Sequence, residues 1–272
     1  MNIYKRSYVI FVVLLAVVMA LAGSQSALAQ SPVTLTGVFT AVYGDGPAGT
    51  AAPDPFYSLV DSSGLETRLL IDETTILPEG GLIALERRTV TVRGFYVQSG
   101  ENSVLQVSSI TLAIQAGVNV SGAVSASVYG SKPFISIMCK FADTSAVEPY
   151  PLSFFQGMYS SAFPGLDHYW RELSYDNMNI LGSTALGWYT LPRIRSAYIL
   201  GDGSFDLTLV AQDCTALADP YVNFNSFHGI NLMFNGDLDG YAWGGSAYIT
   251  LDGVTKSWPM TWEPPGVMRM WL

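Results

Sequence analysis

From Pro32 onward, apolar and polar residues alternate along the chain. Over residues 33–43, Val33, Leu35, Phe39, Ala41 and Tyr43 share one face and Thr34, Thr36 and Thr40 the other, the period of a half-buried strand. Residues 56–60, 65–71, 89–97 and 104–114 repeat that character. Turn-rich segments such as 61–64 and 98–102 separate the runs. Residues 77–88, between the third and fourth runs, read as a loop or short helix. Five strands with an insertion after the third predict a small all-β barrel of the oligonucleotide/oligosaccharide-binding (OB-like) kind. Its strands lack the aromatic and basic face that single-stranded nucleic acid requires.

The pattern changes after residue 115. Residues 116–133 are small and polar without periodicity and read as a linker, with an Asn119-Val120-Ser121 sequon inside it. Residues 134–141 (FISIMCKF) form a continuous apolar run suited to a buried central strand. A helix is predicted over 153–162. A second follows Pro164-Gly165, with Leu166, Tyr169, Trp170 and Leu173 on one face and Asp167 in the first turn, where the helix dipole favours a carboxylate. Residues 174–177 break it, and 178–181 and 184–191 read as strands. Ser204 is placed to cap a helix carrying Leu207, Val210, Ala211, Cys214, Leu217 and Ala218 on one face, with Pro220 just beyond its end. Residues 229–234 and 246–251 are two more apolar strands, joined by a loop over 235–245. The resulting order, β, α, α, ββ, α, β, β, predicts an α/β layer with mixed strand directions.

One stretch carries a resemblance. HYWRELSYDNMNILG (168–182) and GWYTLP (187–192) are similar to the N-terminal part of the catalytic domain of secreted metallopeptidases of the immune inhibitor A type. The resemblance spans roughly residues 134–265. It implies an incomplete α/β zincin-like domain over 134–272, an α+β fold overall, and a protein or peptide substrate cleaved by zinc-activated water. Such enzymes carry HExxH, in which two histidines one turn apart hold the metal and the glutamate serves as general base. This chain has two histidines, His168 and His228, and no HExxH. Zinc thus belongs to the full-length family member and has no ligands here, and no catalytic residue is assigned. In the family a Trp-Glu-Pro-Pro-like segment leads into the HExxH helix. Here Trp262-Glu263-Pro264-Pro265 is followed by seven residues, GVMRMWL. The expectation is a truncated or frame-shifted reading of a longer gene, inactive as this chain. The alternative is a secreted, non-catalytic binding or surface module that keeps the scaffold.

The N-terminus adds a location. Lys5 and Arg6, an apolar run over 8–22 and Ala27-Leu28-Ala29 make a signal peptide over 1–29, cleaved between Ala29 and Gln30. The domain reading is then 30–115 for the barrel, serving as an accessory or pro-region, and 134–272 for the partial metallopeptidase domain. The protein is expected to be secreted; an uncleaved signal segment anchoring it to the membrane is the alternative. Residues 1–29 hold two basic and no acidic residues, so their removal moves the net charge from −9 to 11 − 22 = −11. Such a surface repels nucleic acid.

Export places Cys139 and Cys214 in an oxidising setting, where a bridge is favoured over two buried thiols. The loop Asn235-Gly236-Asp237-Leu238-Asp239-Gly240 resembles the first half of a calcium loop, with Asn235, Asp237 and Asp239 as oxygen ligands. Ser246 stands where the closing glutamate belongs. The reading therefore favours a hairpin loop with Asx turns over calcium. Asp237, Asp239 and Glu263 offer carboxylates without a defined separation. Trp188, Tyr189, Tyr241, Trp243, Trp258 and Trp262 suit a core better than a sugar platform.

Overall fold

The computed structural model describes residues 31–47, 49–99, 102–113 and 128–268. The expected signal segment, its expected Ala29–Gln30 cleavage site, Asn119 and most of the expected linker lie outside them. From Val33 on, the chain forms one compact unit of mixed α and β structure, mostly strands.

Strands β1 (Val33–Asp45), β2 (Phe56–Val60), β3 (Glu66–Leu70), β4 (Thr89–Ser99) and β5 (Asn102–Leu112) close into a five-stranded barrel. Strand β1 pairs with β2 and β4, β3 pairs with β2 and β5, and β4 pairs with β5; only β3–β5 is parallel. Phe39, Leu59, Leu69, Val92 and Leu105 fill the interior. The insertion expected between the third and fourth strands is helical. Helices α1 (Glu73–Ile76) and α2 (Leu82–Leu85) flank a 3₁₀ turn, and their Ile76 and Leu85 join the barrel core. Asp72 caps α1 by accepting the Thr74 N–H at 2.9 Å.

The far end of β1 leaves the barrel. Its residues Val42–Asp45 pair with strand β11 (Ala242–Leu251), so barrel and α/β layer share one ten-stranded sheet. Val42 packs into the second core while Tyr43, expected on the buried face, is 55% exposed. The inward face switches because the strand changes partner. Gly245 sits at this join. A Cβ there would lie 2.1 Å from the Ala41 carbonyl oxygen, so only glycine lets the two strands approach.

Strands β7 (Phe134–Lys140), β9 (Thr184–Thr190), β10 (Gly229–Phe234) and β12 (Val254–Glu263) run parallel in the order β12-β10-β7-β9, and β11 lies antiparallel beside β12. The apolar run of β7 is buried along nearly its whole length, as a central parallel strand must be. One sheet face packs on helix α5 (Leu207–Ala218), with Ile137, Leu232, Trp258 and Trp262 beneath it. The helix is capped by Asp206, whose carboxylate accepts the Leu209 N–H; the expected cap Ser204 instead bonds Asp202. Strand β11 begins at Ala242, inside the loop expected over 235–245, and β12 lies where the sequence pattern assigned no element. Its Asp252-Gly253 turn, with φ of 48° and 75°, joins it to β11 as a tight hairpin.

The opposite face is covered by helix α3 (Leu152–Gly157), shorter than expected, and by the region of helix α4 (Leu166–Leu173). Of the expected linker, Gly130–Ser131 forms a short strand, β6, parallel to β8 (Met178–Asn179). No described helix is long and apolar enough to cross a membrane.

Candidate ligand pocket

Helix α4 sits differently from the amphipathic reading. Tyr169, Trp170 and Leu173 are 47%, 40% and 56% exposed, whereas Asp167 is 1% exposed. The buried carboxylate accepts the Ile180 N–H at 2.8 Å and the Arg171 Nε–H at 2.8 Å. The polar side of the helix therefore holds it in place, and its aromatic side is left beside a pocket.

That pocket, of about 450 Å³, lies on the sheet face away from α5. Leu166, Trp170, Met178 and Ile180 from the 164–192 region form one wall, with Met158 and Met233 nearby. Its floor is the sheet. Alternation along the strands points Phe134 and Ser136 on β7, Asn231 and Met233 on β10, and Thr261 and Glu263 on β12 to one side. Asn231 is paired in register with both Ser136 and Thr261.

The floor carries a connected polar chain. The Thr261 hydroxyl donates to Asn231 Oδ1 at 3.1 Å. The Asn231 amide donates to the Tyr159 hydroxyl at 3.1 Å and to Ser136 Oγ at 3.4 Å, and the Ser136 and Tyr159 hydroxyls are 2.5 Å apart. Burial raises the Tyr159 phenol above its ordinary value, against the hydrogen bonds of Ser136 and Asn231. Glu263 lies two residues beyond Thr261 on the same strand face. Burial lifts its carboxyl to about 7, with Thr261 opposing and the negative Asp45 adding to the shift. Lys132 and His228 line the other end. Burial, then the charges of Lys132, Arg87 and Lys256, hold His228 below its ordinary value. The pocket is therefore apolar on its walls, hydrogen-bonded on its floor and charged at its two ends.

A wider depression of about 580 Å³ lies between α5 and β11, and its three threonines have partners of their own. The Thr215 hydroxyl donates to the Ala211 carbonyl, and the Thr250 and Thr255 hydroxyls pair at 2.7 Å.

The residues singled out from the sequence fall elsewhere. Cys139 on β7 and Cys214 on α5 form a disulfide between sheet and helix. Asn235 is buried. Its Oδ1 accepts the Phe141 N–H, and its amide donates to the carbonyls of Thr144 and Val147. Asp239 accepts from Trp243 Nε1 at 2.8 Å, and Asp237 faces Arg195 at 3.5 Å. The oxygens proposed for calcium thus serve protein donors. His168 lies 3.8 Å from Glu172, and His228 meets the Phe134 ring edge-on. Among the described residues no three His, Cys, Asp or Glu side chains gather as a metal site. Trp243, Trp258 and Trp262 are core residues, and Trp188 packs on Phe155.

The floor residues were passed over because positions 136, 159, 231 and 261 form no motif. A signal existed: Ser136 and Asn231 each interrupt an otherwise apolar central strand, and a buried polar group there needs partners. No family model matches the chain, and no curated protein or solved structure matches it.

Proposed function

We propose that the chain is an exported protein on a metallopeptidase-like scaffold, and that the residues it carries bind a peptide without hydrolysing it. The pocket over Asn231 carries this reading. Apolar walls enclosing a few fixed polar groups are the usual make-up of a ligand site. Trp170, Met178 and Ile180, within the segment 168–182 that resembles immune inhibitor A-type peptidases, line it, which supports a binding role for that segment. The mixed sheet of four parallel strands and one antiparallel strand agrees with the zincin-like layer the resemblance implies, and the closed barrel with its helical insertion agrees with an OB-like accessory module. A disulfide fits an exported chain.

In peptidases of the resembled type, HExxH holds the zinc and supplies the general base, and this sequence has none. What remains is recognition. Met158, Met178 and Met233 give the walls an adaptable lining, suited to side chains of varied shape. The reading is tested by equilibrium binding of a mixed pool of short peptides to the wild-type chain and to Trp170→Ala. Trp170 is 40% exposed, so its truncation should leave the fold intact while opening the wall. Retention by the wild type, weakened at least fivefold in W170A, is the expected result. Equal retention by both, or none by either, removes the pocket as the binding site.

A further inference from the structure

One carboxylate lining the pocket has no hydrogen-bond donor among the described residues. The Thr261 hydroxyl, two residues from Glu263 on the same strand face, donates to Asn231 Oδ1 at 3.1 Å. A hydroxyl donates once, so that proton is not left for the Glu263 carboxyl. Glu263 has no ion-pair partner among the described residues, although the chain forms ion pairs elsewhere. The charge that acts on it is that of Asp45, which is also negative. Lys132 and His228 stand at the far end. From the row of His228 to the row of Met233, the register partner of Glu263, is five residues, roughly 16 Å along a strand.

We infer that the Glu263 end of this pocket is a subsite for a primary ammonium group carried on an apolar stem. This rests on the peptide-binding reading and specifies which group of the ligand is seated there. An ammonium brings three donors and one positive charge. Its donors meet the Glu263 carboxylate that Thr261 leaves unserved, and its charge offsets those of Glu263 and Asp45. Met233 on the floor and Met158 nearby offer the stem an apolar lining. A single carboxylate is a poor site for a metal ion, which takes several oxygen ligands, whereas one carboxylate and a hydroxyl suffice for an ammonium. In a peptide the group is either the free N-terminus or a lysine side chain.

The test compares n-hexylammonium, hexanol and hexanoate binding to the full chain by titration calorimetry at pH 8. Ammonium should bind at least tenfold more tightly than the alcohol, and hexanoate more weakly than both. Glu263→Gln keeps the shape and removes the charge; it should bring ammonium to within twofold of hexanol and leave hexanol unchanged, which also reports an intact pocket. Hexanol and ammonium binding equally to the wild type, or a preference for ammonium that survives E263Q, overturns this inference and leaves the peptide reading standing. Binding of none of the three overturns both. Leu-Gly-Gly amide, its N-acetylated form and an N-acetylated lysine tripeptide amide then separate the sources. Preference for the first assigns the subsite to an N-terminus and preference for the last to a lysine. Equal weak binding by all three contradicts an ammonium site.

Discussion

The Thr261 hydroxyl on β12 donates to Asn231 Oδ1 on β10 at 3.1 Å, and the amide of the same asparagine reaches Tyr159 and Ser136. One side chain thereby joins two parallel strands and the segment after α3, and it does so at the base of the pocket. Binding surface and sheet are held by the same bonds.

Replacement of Asn231 should therefore be felt in stability as well as binding. Asn231→Ala leaves Thr261 and Tyr159 without their shared partner, and orphaned buried polar groups cost about 1–3 kcal/mol. Urea unfolding should show a loss of that size. Asn231→Asp, protonated at low pH, keeps the acceptor for Thr261 and has one O–H donor in place of two amide hydrogens, so it should fall between alanine and wild type there. No change in the midpoint for N231A would mean that the chain of hydrogen bonds is not formed.

The bridge between Cys139 and Cys214 closes a loop of 75 residues between sheet and helix. Loop-closure entropy for that length corresponds to about 4 kcal/mol. The double substitution to alanine should lower the denaturant midpoint accordingly. A non-reducing peptide map of the native protein should show the two cysteine peptides linked. Free thiols at both positions would contradict the bridge.

Gly245→Ala probes the join between barrel and α/β layer. The added methyl would sit 2.1 Å from the Ala41 carbonyl oxygen, so β1 and β11 must separate. A loss of about 2 kcal/mol or more is expected, in the range of overpacked sites. Hydrogen exchange should accelerate at 242–245, where the two strands pair. An unchanged exchange pattern would mean that the strands do not meet there.

Glu263 gives stability a pH dependence whose sign follows from its raised pKa. The folded state holds the proton up to about 7, whereas the unfolded chain releases it near the ordinary 4.5. Stability from this group is complete below 4.5 and is lost as pH climbs to about 7, an effect of about 3 kcal/mol. Asp45 strengthens the shift and Thr261 weakens it, while His228 and Lys132 lie at the other end of the pocket. Wild type and E263Q should unfold together near pH 4.5, with E263Q the more stable at pH 8. Parallel curves over that range would place Glu263 in water.

Much of the scaffold was legible because single segments carry their own pattern. The β7 run FISIMCK, the alternation of β4 and the punctuation around 164–165 each specify an element locally. Two errors share a cause. The face of α4 was read inward from Leu166, Tyr169, Trp170 and Leu173, yet one buried bond from Asp167 to the Ile180 N–H decides the orientation. Strand β12 was passed over because Lys256 and Pro259 weaken its pattern, although Asp252-Gly253 marks a hairpin. Tyr43 turned outward because β1 changes partner, which no local pattern announces. The pocket was the least legible part. Its floor gathers residues from positions 136 to 263, and only the register of three strands brings them together.

The claim that these residues recognise peptide without cutting it is tested most directly by mass spectrometry. A defined peptide pool is incubated with the purified chain and equimolar zinc, and the bound fraction is compared with the starting pool. The account predicts enrichment of intact peptides bearing an ammonium group beside apolar residues, with no new termini. New termini that vanish on chelation, and that W170A also fails to produce, would show a metal-dependent peptidase and contradict it.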